Sequence, residues 1–304
     1  MAMKPAGLAE RSRAIRAHYN RLSRLYCRLW GEHIHHGYWT DGESAAEAQL
    51  ALTAELARRA RVSRNARVLD VGCGLGGSAR WLACELDCSV TGITLSPVQR
   101  RMAEWRSRRA GLGDRVEFDV HDADQRALPG ADYDVVWVLE CCEHLENRAR
   151  FVRECARVLE PGGVLALTTW CAAEPESGMA RPDLIQAICD GMLCPELRPM
   201  NEHLRWMREA GFDPVEGWDL SRRVERTWDI CAALVRRRWI RMLLPFMDKG
   251  TRRFTATFAT MRSAYAADAL IYGMFVARKP ALGTPSAASG VPIASKRPSK
   301  PVPA

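Results

Sequence analysis

VLDVGCGLGG, the stretch from Val68 to Gly77, decides the fold prediction for this chain. It joins an apolar run to a glycine cluster in which Gly72, Gly74 and Gly77 satisfy the spacing G-x-G-x-x-G. A strand that leads into a glycine-rich turn and then a helix lets a ligand approach the backbone closely, because glycine has no Cβ. Asp70 stands directly before the glycines, so the ligand must tolerate a carboxylate there.

The sequence around this stretch alternates between apolar segments of strand length and amphipathic segments of helix length. Strands are predicted at 67–71, 89–94, 115–120, 134–139 and 163–169, with helices near 77–87, 96–110 and 146–158. Such alternation, with nearly continuous apolar strands, predicts an α/β fold whose parallel sheet is covered by helices on both faces. Two later strands are predicted at 212–218 and 270–277.

Segments outside this alternation are predicted to be helical or disordered. Two N-terminal helices are predicted at 8–30 and 44–61, and the stretch GEHIHHGYWTDG joins them. Two short helices are predicted in 182–210. Longer helices are predicted in 220–267, with interruptions at Pro245 and Gly250. The predicted division is N-terminal helices with a lid segment (1–62), a Rossmann-like core (63–175), a helical cap with the final strands (176–278), and a tail (279–304). The tail is rich in Pro, Ser and Ala, which predicts disorder.

The composition is that of an ordinary globular protein, with 304 residues of which 47% are hydrophobic and 26% charged. No apolar run approaches the roughly 20 residues that span a bilayer, and the N-terminus lacks the apolar region of a secretory signal. The eleven cysteines form no C-x-x-C pair, so we expect reduced thiols in a cytoplasmic protein.

The formal net charge of +8 comes from arginine runs, which are typical of solvated helix faces. No base-reading module is visible, so no nucleic-acid partner is expected. An anionic substrate or a membrane surface stays open as a partner, without stable insertion into the membrane. The oligomeric state also stays open, with a homodimer as one option.

Asp70 distinguishes between two ligands that glycine-rich turns bind. A pyrophosphate of NAD at the helix N-terminus would be repelled by a nearby carboxylate, and NAD also favours an acidic residue about 20 positions later. The corresponding stretch, Thr91–Gln99, contains no carboxylate. S-adenosylmethionine has no phosphate but carries a sulfonium and an ammonium, which an acid favours. The motif therefore predicts a methyltransferase rather than a dehydrogenase; glycines that serve only a tight turn are the remaining alternative.

On these residues the chain resembles the class I S-adenosylmethionine-dependent methyltransferases. It is most similar to the tocopherol C-methyltransferases and their relatives, which include plant N-methyltransferases. The similarity runs from about Tyr19 to Lys279 and rests on LWGEHIHHGYW, VLDVGCGLGGSARWLA, GITLSPVQ, EHLENRARFVRECARVLEPGG and TTWC. It implies that the core binds S-adenosylmethionine and that the helical cap binds the substrate.

The resemblance also implies which residues surround the cofactor. Those at its methionine end would be Asp70, Gly72 and Gly74, with Gly76 at the turn. Separately from the resemblance, a lid that closes over the cofactor would bring Tyr19 and Tyr38 to the same end. Those near its ribose and adenine would be Thr94, Leu95, Gln99, Asp122 and Ala123. Glu140, at the end of the fourth strand, would meet both the cofactor and the acceptor.

The stretch ECCEH supplies the main candidates for catalysis, namely Glu140, Glu143 and His144. Methyl transfer from a sulfonium is an in-line displacement, so the protein mainly aligns the nucleophile, excludes water and removes a proton. His144 is the first candidate for the base or acceptor-binding residue, and Glu140 is the second. The alternative is that they only order the cofactor or cap a helix.

A second cluster, HIHHGYW, contains His33, His35 and His36. Apart from Glu32, no carboxylate or cysteine stands at metal-ligand spacing, and methyl transfer needs no metal, so no metal site is predicted. The cluster fits a lid in which His35 or His36 lies near the acceptor, and His36 is the third catalytic candidate. A purely structural role is the alternative.

The predicted function is transfer of a methyl group to a small hydrophobic acceptor, aromatic, prenylquinol-like or isoprenoid, at carbon, in specialised metabolism. Tryptophans and methionines after the third helix either fill a core or form walls for such an acceptor. One alternative is Mg²⁺-dependent methylation of a prenyl diphosphate held by the arginines of 198–241. Others are N-methylation of an alkaloid or amine, and a cofactor-binding protein without catalysis.

Overall fold

A seven-stranded sheet organises residues 7–282, which are the residues that the computed structural model describes. The strands are β1 (Arg67–Val71), β2 (Ser89–Thr94), β3 (Val116–Val120), β4 (Tyr133–Leu139), β5 (Leu159–Ala172), β6 (Val215–Asp219) and β7 (Leu270–Arg278). Their order across the sheet is β3-β2-β1-β4-β5-β7-β6. The chain order reverses between β1 and β4, which opens a crevice at the carboxyl ends of these strands.

The helices of the same residues flank the sheet or form a cap beside it. They are α1 (Leu8–Leu29), α2 (Ala45–Ala60), α3 (Gly77–Glu85), α4 (Pro97–Arg109), α5 (Arg148–Val158), α6 (Pro182–Met192), α7 (Met200–Glu209), α8 (Ser221–Val224), α9 (Arg226–Val235), α10 (Arg238–Leu243) and α11 (Lys249–Ala266). This arrangement confirms the predicted Rossmann-like α/β fold. None of these helices is long and apolar enough to cross a membrane.

The sequence predicted a parallel sheet but did not predict the direction of every strand. Strands β1 to β5 are parallel, as predicted. Strand β7 runs antiparallel to both β5 and β6, so the sheet as a whole is mixed. An apolar run specifies burial on both faces but carries no information about direction.

Strand β4 shows how the sheet buries both of its faces. Val135 and Trp137 belong to the apolar cluster that includes residues of α2 and α3, whereas Val136 and Val138 belong to the cluster that includes residues of α5. Successive side chains of a strand point to opposite faces, so one apolar strand supports helices on both sides. Trp137 is fully buried, and burial of such a side chain contributes roughly 2 kcal/mol.

The cap differs from its prediction in where its helices break: the chain also breaks at Glu225 and after Val235, which was not predicted. Gly250 does not interrupt a helix; it lies in the first turn of α11, where the Asp248 side chain accepts a hydrogen bond from the Thr251 amide. Pro245 does lie in the break, within the 3-10 turn Leu244–Phe246. The predicted domain boundaries stay predictions, and the predicted disordered tail falls, from residue 283 onward, outside the described residues.

Candidate active site

The glycine turn after β1 forms the floor of a cavity. Gly72 has φ +81° and Gly74 has φ +53°, backbone conformations that favour glycine. A Cβ at Gly72 would lie 2.5 Å from the Cys141 side chain, so no larger residue fits. The amides of Gly72 and Cys73 both donate to the Ile93 carbonyl oxygen, at 2.9 and 3.0 Å, which ties the turn to the end of β2.

The cavity above this turn has a volume of about 110 Å³ and brings most of the predicted cofactor residues together. Those that line it are Tyr19, Asp70, Gly72, Gly74, Thr94, Leu95, Gln99, Asp122, Ala123 and Glu140. They come from α1, from the ends of β1, β2 and β4, from the first turn of α4, and from the loop after β3. The glycine motif therefore lies at the crevice that the strand order opens between β1 and β4.

Asp70 is the residue whose surroundings say most about the ligand. It is 2% exposed, and its Oδ2 atom has no hydrogen-bond partner among the described residues. Burial raises the pKa of this carboxyl from 3.8 to about 7. A cation bound in the cavity would restore the charged form and offset the cost of burial. The site fits a positively charged ligand and disfavours a pyrophosphate.

Thr94 and Asp122 hold other residues of the cavity in place. The Thr94 hydroxyl donates to Gln99 Oε1 at 2.7 Å, which leaves the Gln99 Nε2 group without a partner among residues 7–282 and able to donate to a ribose hydroxyl. The Asp122 carboxylate accepts from the amides of Asp124 and Gln125, at 3.0 and 3.2 Å. These bonds fix the loop that presents Ala123 to the cavity.

Two predicted cofactor residues lie elsewhere. Gly76 is the N-cap of α3 with φ +74°, and a Cβ there would meet the Phe118 ring at 2.7 Å, so glycine is required by packing at the turn. Tyr38 lines neither this cavity nor the next one, because its amide donates to Ala48 and its ring lies against Arg223, 5.8 Å away. Its contact with the methionine end of the cofactor stays a prediction.

A second, larger cavity adjoins the first. Its volume is about 190 Å³, and α1, α9, α10 and α11 supply most of its walls. Among the described residues, none of those that line it is a lysine or arginine. The lining is mainly aliphatic and aromatic and includes Leu22, Tyr26, Trp170, Trp228, Phe254 and Phe258. Tyr19, Glu140 and His144 line both cavities and so mark their junction.

Glu140 holds the lid segment at this junction. Its Oε1 accepts from the His36 amide at 2.8 Å and from the Tyr272 hydroxyl at 2.7 Å, and its Oε2 lies 2.9 Å from His36 Nδ1. Burial is the largest influence on the pKa of Glu140 and would raise it, but His36, His35 and the Tyr272 hydroxyl together lower it. Glu140 also has φ +55°, a strained value for a non-glycine residue. These bonds suit Glu140 to positioning rather than to proton removal.

Glu143 and His144 have opposite pKa shifts. Burial, together with the charge of Glu140, raises the pKa of Glu143 to about 8, and its Oε2 accepts a hydrogen bond from the Thr169 hydroxyl at 3.0 Å. Burial lowers the pKa of His144 to about 4, and its Nε2 lies 3.4 Å from the Tyr19 hydroxyl. At neutral pH the larger cavity is therefore lined by the uncharged carboxylic acid of Glu143 and the uncharged imidazole of His144.

The other histidines of the lid segment form hydrogen bonds within that segment. His33 Nδ1 lies 3.0 Å from His35 Nε2, and His35 Nδ1 donates to the His36 carbonyl oxygen at 2.8 Å. Burial lowers the pKa of His33 to about 3 and also lowers that of His35, so both rings are neutral. Within residues 7–282, no three His, Cys, Asp or Glu side chains are grouped as a metal site requires.

Several residues of the site were not singled out from the sequence. Tyr272 lies on β7, 132 positions from the Glu140 that it contacts. His18 and Tyr26 on α1 form a 2.7 Å hydrogen bond in the larger cavity. Glu143 was a candidate from the ECCEH cluster, but the partners that separate its role from that of Glu140 lie far away in sequence: Thr169 for Glu143, and His36 and Tyr272 for Glu140. The spacing of α1 positions at i, i+4 and i+7 was a signal for the cavity-lining face of that helix.

Fold and site together define a methyltransferase-type α/β protein with a cation-favouring cofactor cavity. The family model of the methyltransferase domain matches residues 69–167. The probable tocopherol O-methyltransferase, chloroplastic, of Oryza sativa subsp. japonica is 33% identical over 278 residues, 82% of this chain and 76% of that protein. The 27-O-demethylrifamycin SV methyltransferase of Amycolatopsis mediterranei (strain S699) is 36% identical over 213 residues, 69% of this chain and 77% of that protein.

A solved structure shows the same fold. The putative sarcosine dimethylglycine methyltransferase from Galdieria sulphuraria superimposes with a TM-score of 0.76 at 22% identity, covering 86% of this chain and 98% of that one. The chain therefore belongs to the class I S-adenosylmethionine-dependent methyltransferases and resembles the tocopherol methyltransferases among them. The predicted enzyme class and cofactor are confirmed.

Proposed function

We propose that this methyltransferase acts on a bulky, uncharged and mostly apolar acceptor, aromatic, prenylquinol-like or isoprenoid in kind. The observation that supports this most strongly is the cavity of about 190 Å³, which no lysine or arginine of residues 7–282 lines. Trp170 and Trp228, 6.0 Å apart in an edge-to-face arrangement, offer aromatic faces that bury large apolar area and stabilise positive charge.

The reacting end of the acceptor belongs at the junction of the two cavities. S-adenosylmethionine supplies an activated methyl group on a sulfonium. The protein's residues would align the acceptor, exclude water and take the proton that the acceptor loses. With its pKa near 4, His144 is a weak base, but a freshly methylated hydroxyl or aromatic carbon is a strong acid, so a weak base suffices. Glu143, protonated below pH 8, would donate a hydrogen bond to an acceptor oxygen.

The prenyl diphosphate alternative has less support. It needs cations in the acceptor cavity, yet none of the arginines of 198–241 lines that cavity. Arg222 lies 2.7 Å from Asp268, and Arg226 donates to the Asp41 carbonyl oxygen at 2.7 Å. The amine alternative needs a free carboxylate, and Glu140 already accepts from His36 and Tyr272.

Methylation at carbon, expected from the resemblance, stays a prediction. The names of the two relatives above specify an O-methyltransferase and a 27-O-demethyl substrate. Both chemistries need the same apolar cavity and the same late proton removal, so the cavity alone does not distinguish them. The position of the new methyl group in the product decides the question.

The test uses cofactor with an isotope-labelled methyl group and three acceptors in separate reactions: a phenol with a prenyl tail, a prenyl diphosphate with Mg²⁺, and a secondary amine. We expect label only in the phenol product, located at ring carbon by NMR. Label in the diphosphate or amine product alone would overturn the proposal. Transfer of label to the phenolic oxygen would correct the predicted atom but support the acceptor class.

A variant pair tests the role of His144. His144→Ala should lower kcat by about 100-fold or more, the usual effect of losing a general base. His203→Ala is the control, because His203 is buried on α7 and burial also lowers its pKa, but it lines neither cavity. If both variants lose activity in proportion to their loss of folded protein, His144 has no role beyond packing.

A further inference from the structure

One surface of the cap is both apolar and strongly basic. Phe246 is 88% exposed, Met242 67%, Leu243 48% and Trp239 46%, all within eight residues. Scattered apolar side chains on a surface are ordinary, but a contiguous group of large ones marks an interaction site. We call this group, from Trp239 to Phe246, the cap patch.

Positive charge surrounds the cap patch. The segment 236–253 contains seven basic residues and one acidic residue, so it holds +6 of the formal net charge of +8 of the whole chain. Arg236, Arg237, Arg238 and Arg241 are exposed, and within residues 7–282 their side chains form no ion pair. These charges have no counterpart in the part of the chain that the structure describes.

The basic surface continues onto α1. Arg21 forms an ion pair with Asp248, the residue that caps α11, which brings α1 next to the cap segment. The exposed positions of α1 include further arginines, namely Arg13, Arg16, Arg24 and Arg28. Two neighbouring elements therefore present cations around one apolar group.

We propose that the cap patch docks this protein onto the surface of an anionic lipid bilayer. Large apolar side chains that enter the interfacial region, surrounded by cations that face anionic headgroups, are the two components of interfacial membrane binding. Tryptophan and phenylalanine suit this depth because their rings bury apolar area at the boundary. A second copy of the chain fits worse, because a two-fold interface would oppose two unpaired arginine clusters.

The same segment forms a wall of the acceptor cavity. Ile240, Leu244 and Met247 line that cavity, while their neighbours in the cap patch face outward. A docked protein would thus hold one wall of the cavity against the lipid phase, where apolar acceptors dissolve. Docking itself does not depend on methyl transfer, and it is measured without cofactor or acceptor.

The test is sedimentation of the full-length protein with vesicles of phosphatidylcholine alone or with about one-third phosphatidylglycerol. We expect binding to the anionic vesicles, weakened by salt, and little binding to the neutral ones. The variant Trp239→Ala with Phe246→Ala should weaken binding by about tenfold or more. The control is Trp105→Ala, since Trp105 is 57% exposed beside Arg109 on α4 but lies outside the cap patch.

A second variant separates charge from apolar insertion. Replacing Arg236, Arg237, Arg238 and Arg241 with glutamine should remove the preference for anionic vesicles on the order of 100-fold, with the circular dichroism spectrum unchanged. The proposal is overturned if the unaltered protein stays in the supernatant with both vesicle types. It is also overturned if the Trp239 and Phe246 variant binds as the unaltered protein does, or if that variant instead abolishes self-association in sedimentation velocity.

Discussion

Replacement of Asp70 by asparagine tests the electrostatic basis of cofactor binding. In the cofactor-free protein burial raises the pKa of Asp70 to about 7, so a cationic ligand must drive off a proton whenever it binds below that pH. The affinity for S-adenosylmethionine should therefore be constant above pH 7 and fall with decreasing pH, by up to about tenfold per pH unit. Asp70→Asn should bind on the order of 10- to 100-fold more weakly at pH 8, the loss of one charged hydrogen bond.

Isothermal titration calorimetry between pH 5.5 and 8, in buffers of different ionisation enthalpy, measures both the affinity and the protons released. Asp70→Asn should show no proton release at the acidic end. Its unfolding free energy without cofactor at pH 8 should equal or exceed that of the unaltered protein, because the variant removes a buried charge. An affinity that ignores pH, or an asparagine variant that binds normally, would refute the electrostatic argument.

Three further outcomes follow from the geometry. Glu143→Gln replaces a carboxyl that is neutral below pH 8 with an amide that is neutral at every pH. Its kcat should therefore match that of the unaltered enzyme below pH 7, and only the unaltered enzyme should lose activity as the pH rises through about 8. An equal loss of activity in both proteins would contradict this role of Glu143. Tyr272→Phe removes one donor to Glu140 and should lower the unfolding free energy by about 1 kcal/mol in denaturant titration, and an unchanged value would count against the bond. Gly72→Ala would place a Cβ 2.5 Å from the Cys141 side chain at a φ of +81°. The variant should lower the unfolding free energy by about 1–3 kcal/mol and should no longer bind the cofactor detectably. Normal cofactor binding would contradict the close approach of ligand and backbone.

The core of the fold could be predicted because its signals are local. The five parallel strands and the glycine turn are each specified within about ten consecutive residues, and Asp70 is adjacent to that turn in sequence. Residues such as Thr94 and Gln99 were placed through family resemblance, and both lie in the cofactor cavity.

The rest of the site depends on contacts between distant segments. Glu140 and Tyr272 meet only because β7 enters the sheet beside β5, and no periodic pattern predicts that insertion. Tyr38 was expected at the cofactor because it follows the histidine cluster, yet the Gly37 amide donates to the Thr227 hydroxyl at 3.0 Å and draws the chain toward α9. Protonation states, as at Glu143, depend on burial, which the sequence does not give.

A crystal structure with S-adenosylhomocysteine and an apolar phenolic acceptor tests the central claim most directly. We predict that the thioether sulfur lies over the glycine turn, that the acceptor ring packs against the cavity faces of Trp170 and Trp228, and that the reacting atom lies at the junction beside Tyr19 and His144. An acceptor bound outside the cavity of α1, α9, α10 and α11, or a sulfur directed away from that cavity, would contradict it.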